Sequence, residues 1–149
     1  MWGILKERIR RWAVLRHKRY IGRALALHLR GEVRRDGLQM VGMRSQLAIQ
    51  WRARDVHPWD HDLAPAKKEA IFVEQCLADT EAAIIRLFDA LPYIDEIEVN
   101  VLAPTTESPI MTGTVCRADL NSPRFVASVR MRLRNLGIRC HLAGNPPLR

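Results

Sequence analysis

Residues 66–91 constrain the fold more than any other stretch of the chain. Phe72, Val73, Cys76, Leu77, Ala83, Ile84, Leu87, Phe88 and Leu91 fill one arc of about 160° on a 3.6-residue wheel. Lys67, Lys68, Glu74, Gln75, Arg86 and Asp89 hold the other side. Glu69 falls within the apolar arc, and Ile71 and Ile85 within the polar one. This spacing predicts a long amphipathic helix, opened near Asp62 as a candidate cap, with Pro65 in the first turn, and closed by Pro92. A helix with so broad an apolar side must lie on another layer.

The flanking segments supply that layer, because their period is two. Leu47, Ile49, Trp51 and Ala53 alternate with Gln46, Ala48, Gln50 and Arg52. Ile97, Val99 and Val101 alternate with Glu96, Glu98 and Asn100. Such alternation is that of a strand with one wet face. Residues 38–53 read as a hairpin turning near Gly42–Ser45, or as one long strand paired with ALALHL across the turn GEVRRDG. Residues 94–102 and 109–117 read as a second hairpin around the loop APTTES. A second helix is predicted over 123–136, capped by Ser122, with Pro123 first and Gly137 closing it in the left-handed position. Ile138, Cys140 and Leu142 then form a last short strand.

The fold class expected is therefore α+β: a small mixed sheet of about five strands, made of two hairpins and a C-terminal strand, covered by two amphipathic helices. The order lacks a βαβαβ rhythm, which argues against a Rossmann-type sheet. Two successive hairpin-plus-helix units, 38–91 and 94–136, suggest a ββα plan used twice, although their sequences do not repeat.

Residues 1–30 are set apart as a basic helical arm, and residues 31–149 as a single α+β domain. Trp2, Leu5, Ile9, Trp12 and Ala13 share one side of a helix over 3–28. Lys6, Arg8, Arg10, Arg11, Arg16, Lys18, Arg19 and Arg23 crowd the same segment, with Trp12 and Tyr20 among them. Residues 1–60 hold 14 Lys and Arg against 5 Asp and Glu, while residues 61–149 hold 10 against 11. The net charge of +8 thus belongs to the first 60 residues, and it calls for an anionic partner. Arg outnumbers Lys 20 to 4, which suits forked phosphate contacts.

Composition removes several classes of function. The sequence has no GxxxxGK[ST], GxSxG or HExxH, and no CxxC among its three cysteines. No cofactor is called for, and no small-molecule substrate is evident. Cys76, Cys116 and Cys140 are read as reduced, mostly core residues of a cytoplasmic protein. No apolar run is long enough to span a bilayer. The order helix, hairpin, helix, strand resembles that of restriction-endonuclease-like nucleases, but no lysine follows Lys68, so their acidic-x-Lys pair cannot stand on the later strands.

Three acidic or mixed groups remain. His57, Asp60, His61 and Asp62 in HPWDHD have side chains that hold divalent metals, and they equally make a solvated turn, which is the reading adopted. Glu74, Asp79 and Glu81 on the long helix read as a salt-bridged face. Glu96 and Glu98 are expected to pair with Arg117, Arg130 or Arg134. The expected function is that of a non-enzymatic accessory protein binding nucleic acid through Arg8, Arg10, Arg11, Trp12, Arg16, Lys18, Arg19 and Arg23. The alternative is a protein-interaction or oligomerisation module whose N-terminal helix docks a partner. A membrane surface is the lesser choice for the same amphipathic segment.

Overall fold

In the computed structural model, the chain is described over residues 39–43, 46–92, 94–121 and 128–142. The basic arm lies outside the described residues, as do the turn at residues 44–45 and ALALHL. The elements are β1 (Gln39–Met43), β2 (Gln46–Arg52), α1 (Pro65–Ala90), β3 (Glu96–Leu102), β4 (Pro109–Cys116), α2 (Val129–Asn135) and β5 (Ile138–Cys140). Short 3-10 turns stand at Pro58–Asp60 and Arg117–Asn121. The fold is α+β: one mixed sheet with two helices packed on it, its strands ordered β1-β2-β3-β4-β5.

The pairing resolves the two readings of residues 38–53. β1 and β2 are antiparallel, with Met43 opposite Leu47 and Gln39 opposite Gln50, so this segment folds back on itself. Gly42 belongs to β1, where the register shifts between Val41 and Met43. The two ββα units do not stand side by side as separate plans. α1 carries the chain over the sheet so that β3 lies parallel to β2, with Ile49 opposite Val99 and Trp51 opposite Val101. A single parallel crossover thus joins two antiparallel hairpins.

The apolar phases of β2, β3, β4 and β5 point to the helix side. Leu47, Ile49, Trp51, Ile97, Val99, Val101, Met111, Val115 and Ile138 meet Cys76, Leu77, Ala83, Ile84, Leu87, Phe88, Leu133 and Leu136 in one buried cluster. Trp51 and Phe88 are the largest side chains in it.

Pro65 stands in the first turn of α1 as expected, but the caps of both helices differ from expectation. α1 begins at Pro65 with Ala64 as its cap residue, and no side chain bonds there. Asp62 stands two residues too early to reach the first free amides, and the fixed φ of Pro65 sets the start instead. α2 begins after Ser128, whose extended backbone (ψ 160°) admits no helix through it and whose Oγ accepts from the Met131 amide. Phe125, Val126 and the expected cap Ser122 lie outside the described residues. Gly137 does end this helix at φ +97°.

α1 ends at Ala90, two residues before Pro92, and the stop is built by a distant residue. Pro92 has no N–H, so the Phe88 carbonyl lacks its usual partner four residues on. Arg117 supplies it: Nη2 donates to Phe88 O at 3.0 Å and Leu91 O at 2.6 Å, and Nε donates to Ile94 O at 2.9 Å. The guanidinium also lies 4.9 Å from the centre of the Phe88 ring.

Candidate functional site

The loop between β2 and α1 places HPWDHD in a turn. His57 Nδ1 accepts from the Trp59 amide at 3.2 Å, and the His57 ring meets the Trp59 ring edge-on at 4.9 Å. Its imidazole is thereby committed to the turn, while His61 and Asp62 face solvent. Among the described residues, no three of His, Cys, Asp or Glu converge to hold a metal ion. His57, Asp60, His61 and Asp62 are therefore not brought together in the turn. Trp59 is 88% exposed.

The acidic group on α1 is engaged in holding neighbouring elements. Arg54 Nε and Nη2 fork onto the two carboxylate oxygens of Asp79 at 2.6 and 3.1 Å. Gln75 Nε2 donates to the carbonyls of Arg54 and Asp55, so the chain just after β2 is fastened to α1 at three points. Arg132 Nε reaches both oxygens of Glu81 at 3.0 and 3.2 Å, which ties α2 to α1. Glu74 remains exposed.

Glu96 and Glu98 lie on the sheet face turned away from the helices, so the expected partners cannot serve them. Arg117 is bound to the end of α1, and Arg130 and Arg134 belong to α2 on the other face. Glu96 instead accepts from Gln46 Nε2 at 3.0 Å, its register neighbour on β2. The next polar row continues the pattern. Asn100 Nδ2 donates to Gln50 Oε1 at 2.9 Å, Thr112 stands opposite Asn100, and Thr112 Oγ1 lies 3.0 Å from His141 Nε2. Asn100 Oδ1 is buried and has no hydrogen-bond partner among the described residues. This amide row was half visible in the alternation of β2 and β3; only their parallel pairing brings the halves together. At its edge, Arg52 donates to the carbonyls of Ala103 and Thr106 and pairs with Glu107, pinning the β3–β4 loop.

The cysteines divide. Cys76 is buried, Cys140 half-buried and Cys116 exposed, and all three are free. Cys116 is not core because the inward phase of β4 is carried by Met111 and Val115. Burial, with the Asp79 carboxylate beside it, pushes the Cys76 thiol up from 9.0 to about 12. In the unfolded chain this thiol ionises from about pH 9, whereas in the folded chain it holds its proton until about pH 12. Its contribution to stability is thus complete below pH 9 and is lost as pH rises from 9 towards 12. Urea midpoints taken from neutral pH to above the ordinary thiol range should fall with rising pH, and less steeply for Cys76→Ala than for the natural chain. Equal slopes in the two proteins would contradict this account.

Arg8, Arg10, Arg11, Trp12, Arg16, Lys18, Arg19 and Arg23 lie outside the described residues. No helix among the described residues is long and apolar enough to cross a membrane. No protein-family model, curated protein or solved structure matches the chain.

Proposed function

We propose that the chain is a non-enzymatic accessory protein that binds nucleic acid through residues 1–30, acting in the cytoplasm, where free thiols persist. The observation that carries this reading is the confinement of net charge. Residues 1–30 hold nine Lys and Arg against one Glu, whereas residues 31–149 hold fifteen Lys and Arg against fifteen Asp and Glu. A charge-balanced body beside a concentrated cationic segment gives phosphate contacts one place to form. Trp12 and Tyr20, interleaved with those cations, offer faces on which unpaired bases stack. The body supports the same division of labour: Asp79 and Glu81 hold arginines across element boundaries, and His57 holds its own turn.

Binding of the full chain to labelled single- and double-stranded DNA and RNA tests the proposal. Affinity should fall steeply between about 50 and 200 mM salt. A variant with Arg8, Arg10, Arg11, Arg16 and Arg19 changed to Gln should lose most of the affinity, and its salt slope should shrink by about 0.7–0.9 for each phosphate contact removed. Unchanged binding by that variant, or none by the natural chain at the lower salt, would sink the reading.

A further inference from the structure

The outer side of α1 carries a second apolar stripe, away from the one that packs on the sheet. Ile71, Ala78 and Ile85 are spaced by seven residues, so they lie above one another on the helix, with Ala82 beside them. Ile71, Ala82 and Ile85 are half-buried and Ala78 is exposed. Among the described residues, neither isoleucine belongs to the core cluster or packs against it. Lys67 and Asp89, both exposed, stand at the two ends of the same stripe, equally far from Ala78.

We infer that this stripe is the contact between two copies of the chain, their α1 helices antiparallel across a two-fold axis through Ala78. Under that symmetry, each residue faces the one equally far on the other side of Ala78. Ile71 then faces Ile85 of the second copy, and Lys67 faces Asp89 of the second copy, each pair made twice. Ala78 faces itself, and its small side chain lets the helix axes approach to about 8 Å. Apolar groups meet apolar groups in the middle, and opposite charges close both ends. A parallel pairing would set Lys67 on Lys67 and Asp89 on Asp89. The complementarity therefore selects the antiparallel arrangement and a copy of this chain as the occupant. Glu74 comes near Glu81 of the second copy, but that carboxylate is already held by Arg132. None of the residues named in this contact belongs to 1–30, and the inference does not rest on the nucleic-acid reading.

Light scattering coupled to size exclusion gives the test on the full chain of 17.1 kDa. The natural chain should run at the mass of two copies and dissociate only on dilution. Ala78→Arg places a long charged side chain at the crossing and should give a single-copy mass with an unchanged circular dichroism spectrum. Lys67→Glu should weaken the dimer by about tenfold, since two attractive pairs become repulsive. Adding Asp89→Lys to Lys67→Glu should restore it. A single-copy mass for the natural chain at every concentration would overturn the inference and leave the stripe to a different partner. A dimer indifferent to folded Ala78→Arg, or one that the charge exchange does not rescue, would also overturn it. If Ala78→Arg fails to fold, the charge pair decides alone.

Discussion

Gly113→Ala is expected to lower the unfolding free energy by about 3 kcal/mol, the upper end of the overpacking range. Gly113 lies on the helix-facing side of β4, opposite Val99 on one neighbour and Ile138 on the other. The turn between α2 and β5 crosses directly over it. A Cβ there would collide with the Gly137 carbonyl oxygen and come within 2.9 Å of both the Gly137 carbonyl carbon and the Ile138 Cα. All three are backbone atoms, so no side chain can swing aside; β5 or the turn must move. The contact is reciprocal, because Gly137 has φ +97° and a Cβ on it would lie 2.7 Å from the Thr114 carbonyl oxygen. Thr114→Ala, on the exposed face one residue away, serves as the control and should change stability by less than about 0.5 kcal/mol. Urea unfolding of the three proteins checks this. A loss below about 1 kcal/mol for Gly113→Ala, the low end of the overpacking range, would show that the turn yields easily.

Arg117→Ala should cost about 2–3 kcal/mol, as the loss of charged donors to half-buried acceptors implies. Three carbonyls depend on this one side chain, and the Phe88 carbonyl has no amide to fall back on because Pro92 follows four residues later. The cation also sits at the carbonyl end of a long helix, where positive charge is favoured. Arg117→Lys keeps the charge but not the planar fork, and it should recover less than half of the loss. Full recovery by lysine would reduce the role of Arg117 to its charge. Unchanged stability in the alanine variant would mean that water satisfies the carbonyls equally well.

The hydrophobic periods made the strands and the long helix readable because each period reports one buried side. Leu47, Ile49 and Trp51 on β2, and Ile97, Val99 and Val101 on β3, point to the core as their alternation predicts. What periodicity cannot convey is which strand lies beside which. The parallel pairing of β2 with β3 joins residues fifty positions apart, so the Gln46–Glu96 and Gln50–Asn100 bonds had no local signal. Capping signals misled where two were available. Ser122-Pro123 carries a strong start signature, yet Ser128 accepts the bond from the first turn of α2. Arg117 was expected on the wet face of the sheet, since its place after β4 gave no hint that its side chain turns back to the end of α1. HPWDHD has metal-ligand side chains in its composition, but among the described residues no three of them converge, and His57 bonds two residues ahead to the Trp59 amide.

The crossover through α1 also has a temporal side. Each hairpin pairs residues close in sequence, so its closure costs little chain entropy. The seam between them, β2 against β3, carries the largest sequence separation of any strand pairing in the sheet. The two halves of the sheet are therefore cheap to form and expensive to join, and the apolar side of α1 must supply the compensation by docking on both at once. An interrupted chain that ends within α1 holds one hairpin and part of a helix, with the seam edge of β2 open and ready to template a foreign strand.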